Sequence, residues 1–234
     1  MTNKDLQSIA LFISLILFIS CGSKQEKTDK ADTQTQPSRQ QESNEDESKN
    51  IIFFGNSLTA GYGVDPSEAF AGLIQAKIDS LGWDYNVINA GVSGETTASG
   101  LSRVEWVVKR QDVEVFILEL GGNDGLRGIN PQETNKNLRA IIDQVRAIHP
   151  NIEIILAGMM VPPNMGQDYA EEFQALYPVI AKDKNVTLIP FLLEDVGGVK
   201  ALNLPDGIHP TPEGHKIVAE TVWEYLKAVL KKAV

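Results

Sequence analysis

The chain has 234 residues, with 21 basic against 31 acidic side chains and a formal net charge of −10. An acidic chain without a basic run argues against nucleic acid as a partner, because that affinity comes mainly from Lys and Arg on phosphates. A single cysteine, Cys21, excludes an intramolecular disulfide and a cysteine metal cluster. The histidines His149, His209 and His215 show no His-Glu-x-x-His spacing, so no metal or other cofactor is expected.

In chain order, residues 1–20 read as a signal peptide. Lys4 gives a weakly positive start, and Leu6 to Ser20 is an apolar core of roughly 15 residues, shorter than the ~20 that span a bilayer. The segment ends Leu17-Phe18-Ile19-Ser20-Cys21-Gly22, which resembles a bacterial lipoprotein box, with Phe18 where that pattern prefers Leu. The resemblance implies lipidation at Cys21, a membrane tether, and an exported protein at the periplasmic or cell-surface face. Residues 21–50 read as a disordered polar linker: after the cysteine, Ala31 and Pro37 are the only side chains without a polar group apart from Gly22. As a flexible chain it spans roughly 30 Å.

From Ile51 to the C-terminus, strands and helices alternate. Ile51-Ile52-Phe53-Phe54 reads as a buried parallel strand, closed by Gly55 and followed by Asn56-Ser57-Leu58-Thr59. A helix is expected near Ser67 to Leu81, with Ser67 as its cap and Phe70, Leu73, Ile74 and Ile78 at helical spacing. Tyr85 to Asn89 is a short strand that leads into a glycine-rich turn holding Ser93 and Gly94. Thr96 to Lys109 follows as a helix, Val113 to Leu120 as a strand, and Gly121 to Gly125 as a turn. Pro131 opens a helix that stops near His149-Pro150. Ile152 to Gly158 and Val186 to Pro190 are strands around a helix from Asp168 to Lys182, and Thr211 to Lys231 is a long final helix. Five strands alternating with helices predict a three-layer αβα, flavodoxin-like fold. Its sheet is parallel, in the order 2-1-3-4-5, with the ligand edge at the carboxyl ends of the strands.

Four loops meet at that edge. They bring Ser57, Gly94, Asn123 and the pair Asp206/His209, the residue types of nucleophilic acyl transfer. Each has a plainer reading when taken alone: a turn serine, a glycine relieving the backbone, a turn asparagine, and a chance Asp-x-x-His.

Taken together they carry a resemblance. Gly55-Asn56-Ser57-Leu58, Gly91-Val92-Ser93-Gly94, Gly121-Gly122-Asn123-Asp124 and Asp206-Gly207-Ile208-His209 resemble the four ordered blocks of the SGNH (GDSL) hydrolases. The stretches from Gly121 to Gly128 and from Val161 to Tyr169 are similar to the bacterial thioesterase I, lysophospholipase and arylesterase branch. The resemblance implies a serine ester hydrolase domain over residues 51–234. Ser57 would be the nucleophile, His209 the general base and Asp206 its partner. The oxyanion hole would comprise the Ser57 and Gly94 N–H groups and the Asn123 amide. The implied substrate is a small-molecule ester, thioester or lipid with a short to medium acyl chain. Leu126, Ile129, Val161 and Met165, in loops that flank the site, read either as an apolar wall for that chain or as ordinary helix-start residues. Asn56 departs from the family, which usually has Asp there; the change bears on loop stability and pH profile rather than on the catalytic set. His149 and His215 are expected to be structural or solvent-facing. The resemblance also implies, as an alternative, removal of acetyl groups from surface polysaccharide, and the strand followed by a Gly/Ser/Thr loop fits a non-catalytic flavodoxin-like binding module, which leaves Asp206/His209 unexplained.

Overall fold

The computed structural model describes residues 49–110 and 112–233. The signal segment, Cys21 and the linker up to residue 48 lie outside the described residues. Strand β1 (Lys49–Gly55) begins two residues before the expected Ile51, and buries Ile51 through Gly55 without a break. A continuous apolar run of this kind suits a strand covered on both faces, and β1 is covered on both edges as well. It lies between β2 (Tyr85–Gly91) and β3 (Val113–Glu119), and β4 (Glu153–Ala157) and β5 (Thr187–Ile189) complete the sheet. All neighbours are parallel, in the order β2-β1-β3-β4-β5.

Two helical layers cover the sheet. Helix α2 (Phe70–Ser80) packs with α7 (Pro212–Ala233), while α3 (Thr97–Val108) packs with α5 (Pro131–Ile148) and α5 with α6 (Gln167–Lys184). The apolar residues expected on one face of α5, Leu138, Ile141, Ile142 and Val145, are all fully buried. Removing each such side chain from water contributes about 1.5–3 kcal/mol, so this face holds the helix in place far more strongly than helix propensity does.

Two local expectations change. Ser67 does not cap α2. Its N–H and hydroxyl both donate to Asp65 Oδ1, at 2.9 and 2.6 Å, and the helix begins three residues later behind Ala69. The Asp65-Pro66 turn captures the serine first. The glycine-rich stretch after β3 is a short helix, α4 (Gly122–Leu126), rather than a plain turn.

Register is what assembles the site. Gly55 at the end of β1 pairs with Gly91 on one side and Glu119 on the other. Three strands therefore end level, and the loops that follow them open side by side. The order reverses about β1, so this is also the topological switch point where open α/β sheets bind ligands.

Candidate active site

Directly after β1 comes α1 (Ser57–Ala60), a single turn capped by Asn56, whose side-chain oxygen accepts from Leu58 N–H at 2.9 Å. This cap presents Ser57 at the sheet edge, and only 8% of Ser57 is exposed. Gly55 cannot carry a side chain here. A β-carbon would stand 2.1 Å from Thr59 Oγ1 and 2.5 Å from Glu119 Oε2.

The Asp206-to-His209 turn brings acid and base together. Asp206 Oδ1 accepts from the backbone N–H groups of Ile208 and His209, at 2.8 and 3.0 Å, while Oδ2 lies 2.7 Å from His209 Nδ1. The His209 backbone N–H is the largest influence holding the Asp206 carboxyl down at about 2, so it is ionised near neutrality. An ionised carboxylate only accepts, which puts the imidazole proton on Nδ1 and leaves Nε2 as an acceptor. His209 Nε2 is 2.8 Å from Ser57 Oγ. The competing acceptor for that hydroxyl, Asn56 Oδ1, is farther away at 3.4 Å. The three groups thus form one hydrogen-bonded chain, built from a strand end and a loop 152 residues apart.

Around Ser57 opens a cavity of about 690 Å³, within the range of small-molecule sites. Gly94 and Asn123 line it with Ser57 and His209, so all five residues expected at the site come to one place or its direct support. Gly94 has φ +80°, a left-handed conformation that glycine takes without strain. Its carbonyl accepts from Arg127 at 2.9 Å. Asn123 Nδ2 donates to Glu95 O at 2.9 Å, which orients the amide and leaves its second hydrogen for another acceptor. Of the four apolar residues expected along the wall, Leu126 and Val161 line the cavity; Ile129 and Met165 do not. Met159, Met160, Phe191 and Leu193 line it instead.

The other histidines stand apart from this chain. His149 is half-buried with Nε2 2.9 Å from Val108 O. His215 is buried in α7, accepts from Phe70 N–H at 3.3 Å, and is pushed down to about 4 mainly by burial. Among the described residues, no group of His, Cys, Asp and Glu is placed to hold a metal ion.

Residues 53–217 match the family model described as GDSL-like Lipase/Acylhydrolase family. The chain belongs to this family. It is 37% identical over 180 residues to Esterase TesA of Pseudomonas aeruginosa, spanning 77% of this chain and 89% of that one. At the same identity and coverage of this chain it matches Thioesterase 1/protease 1/lysophospholipase L1 of Escherichia coli K12, spanning 84% of that protein. An arylesterase of Vibrio mimicus is 34% identical over 179 residues, covering 76% of this chain and 88% of that one. Among solved structures, a crystal structure of TesA superposes with TM-score 0.74 at 36% identity, covering 77% of this chain and 99% of that one. Esterase EstA from Pseudoalteromonas sp., inhibited by monoethylphosphonate, superposes with TM-score 0.74 at 30% identity, covering 78% and 99%. Membership in this family makes the protein a serine ester hydrolase.

Three supports of the site are not singled out in the sequence. Glu119, 1% exposed, underlies Asn56 and Thr59. Arg103 ties Glu95 to the end of β2 through Glu95 Oε1 at 2.6 Å and Ala90 O at 2.8 Å. Buried Asp124 accepts from Thr97 N–H at 2.9 Å and from the hydroxyls of Thr97 and Thr134, joining α3, α4 and α5. For Glu119 the available signal is a charged residue closing an apolar strand, as in Val113-Glu114-Val115-Phe116-Ile117-Leu118-Glu119.

Proposed function

We propose that Ser57, His209 and Asp206 are the catalytic set of an esterase acting through an acyl-enzyme. The observation that carries this reading is the chain Asp206 Oδ2–His209 Nδ1 at 2.7 Å and His209 Nε2–Ser57 Oγ at 2.8 Å, at the mouth of an apolar cavity. Ser57 Oγ attacks the ester carbonyl while its proton passes to Nε2. Asp206 holds the tautomer and stabilises the imidazolium. The Ser57 and Gly94 N–H groups and the free hydrogen of the Asn123 amide receive the oxyanion. The imidazolium then protonates the leaving alkoxide or thiolate. Water, deprotonated by His209, releases the acid and restores Ser57.

The substrate is a carboxylic ester or thioester with a short to medium acyl chain. Met159, Val161, Phe191 and Leu193 offer an apolar wall for that chain, and the relatives named esterase, thioesterase, lysophospholipase and arylesterase agree in class. An apolar wall favours this over deacetylation of polysaccharide, and the Ser-His-Asp chain has no use in a flavin-binding module. The enzyme is exported, tethered through acylated Cys21, and held off the membrane by the linker of residues 21–48. No described helix is long and apolar enough to cross a membrane.

The deciding experiment is a screen of p-nitrophenyl esters of graded length beside an acyl-CoA and a lysophospholipid, run on wild type and Ser57→Ala. Hydrolysis by the wild type, abolished in a folded Ala variant, is expected. A folded Ser57→Ala that retains substantial activity would overturn the assignment. Mass spectrometry of the exported protein tests the tether: an unacylated Cys21 overturns that part alone.

A further inference from the structure

Beneath the nucleophile, the two oxygens of Glu119 take three hydrogen bonds. Asn56 Nδ2 donates to Oε1 at 2.7 Å, while Asn56 N–H and Thr59 Oγ1 donate to Oε2 at 3.1 and 2.8 Å. The donors come from both sides of Ser57. Glu119, Asn56 and Thr59 are each no more than 2% exposed, so these groups are shielded from bulk water. The amide of Asn56 has only one satisfactory orientation. Its nitrogen faces the carboxylate, and its oxygen accepts from Leu58 N–H at 2.9 Å. Turning it over would set oxygen against carboxylate and N–H₂ against N–H.

The geometry points to Glu119 as the positioning residue for Ser57, with Asn56 as the amide that lets a buried carboxylate do this without a shared proton. The inference rests on Ser57 being the nucleophile. With Asp at position 56, as in the usual family pattern, two carboxyl groups would meet at the Asn56–Glu119 contact. They could not both ionise there, so the pair would hold a proton between them. Asn56 supplies that hydrogen permanently. The other titratable group facing Glu119 is Tyr177 of α6, whose hydroxyl burial, then Glu119 and Asp124, push well above the usual range; it donates to Leu120 O at 3.0 Å. Arg103 of α3 approaches β1 at Gly55 O, 3.4 Å away. Among the described residues no cation bonds to Glu119, so in its ionised form the charge rests on the three neutral donors.

The test uses wild type, Glu119→Gln, Asn56→Asp and the double variant, with steady-state kinetics, rates of phosphonate labelling at Ser57, and thermal melts. In Glu119→Gln one amide hydrogen must face a donor, either Asn56 Nδ2 or the pair on Oε2. Its kcat and labelling rate should fall about tenfold or more with KM nearly unchanged. The double variant exchanges donor and acceptor across the contact, so it should return to within about threefold of wild type. Asn56→Asp retains a proton that its unfolded chain releases, so its melting temperature should keep falling between about pH 7 and 9, relative to wild type. If Glu119→Gln does not fold, a folded and active double variant still supports the clamp, and an unfolded double overturns it. Equal labelling of wild type and Glu119→Gln overturns the clamp alone, as does failure of the double to recover, or a melt of Asn56→Asp parallel to wild type. A wild type that is not labelled at Ser57 overturns the serine mechanism, and the positioning role with it.

Discussion

The ring of Tyr62 packs against the imidazole of His209, with centroids 4.5 Å apart and planes inclined by 41°. Tyr62 is 52% exposed and lines the cavity beside His209, so one face of the base is shielded while the tyrosine keeps contact with solvent. In the proposed mechanism the leaving group departs past His209, which protonates it. Tyr62 therefore offers an aromatic wall on that side. Tyr62→Ala is expected to lower kcat/KM for phenyl esters about 3- to 10-fold more than for ethyl esters of the same acid, in keeping with about 0.5–1.5 kcal/mol for an aromatic pair. Paired kinetics on the two substrates check it; equal losses remove Tyr62 from leaving-group recognition.

Asn123 separates catalysis from loop stability. Its amide is aimed by Glu95 O, and among the described residues its remaining hydrogen has no partner. Asn123→Ala should lower kcat about 10²–10³-fold with a small change in KM, the usual effect of removing one oxyanion donor. A thermal melt alongside the kinetics decides between roles. A lowered melt with raised KM and little change in kcat would make the residue structural.

The proposed mechanism needs a neutral imidazole, because an imidazolium cannot accept the proton of Ser57, so activity should rise with pH. Asp206, held at about 2, is already ionised across that range and adds no second limb. In Glu119→Gln, which removes the other carboxyl titrating near neutrality, a single ascending ionisation in kcat/KM is the expected profile, and two protons lost on the acid side would contradict it.

Stability should respond to pH through Glu119 in the opposite sense from most carboxylates. Burial pushes its carboxyl from 4.5 up to about 7, against the hydrogen bonds from Thr59 and Asn56. Between those two values the folded chain binds more protons at this site than the unfolded chain does. Its contribution to stability therefore declines as pH rises from about 4.5 to about 7, and is constant beyond. Melts across this window should show the wild type losing stability relative to Glu119→Gln as pH increases. Parallel curves would mean that Glu119 is ionised throughout.

Much of the site is legible because its chemistry sits at element ends that the sequence marks. Apolar runs closed by Gly55, Gly91 and Gly121 announce strands followed by turns, and parallel alternation brings those turns to one edge. Ser57, Gly94 and Asn123 are found in this way, while Asp206 and His209 stand out only as a short Asp-x-x-His spacing that gains meaning beside the other three. Glu119 is harder to read, since a carboxylate closing a strand reads equally as an exposed end. Its burial depends on the level register of β1 and β3. Ile129 and Met165 were expected on the cavity wall because they neighbour the right loops, but adjacency in sequence does not say which way a loop residue faces. Tyr62 acts through His209, far along the chain, and no local pattern carries that information.

His209 and Asp206 travel together on one short turn, while Ser57 stands on another element. Leu204 N–H closes on His209 O at 2.7 Å, and Asn203 Nδ2 anchors the base of the turn through Val196 O and Val199 O, at 2.7 and 2.9 Å. Opening this segment would separate the proposed nucleophile from its proposed base, and no strand of the sheet lies within it. Local openings of this kind require less free energy than global unfolding. On heating, the enzyme can therefore fall silent while the fold still holds, and regain its activity on cooling simply by closing one loop.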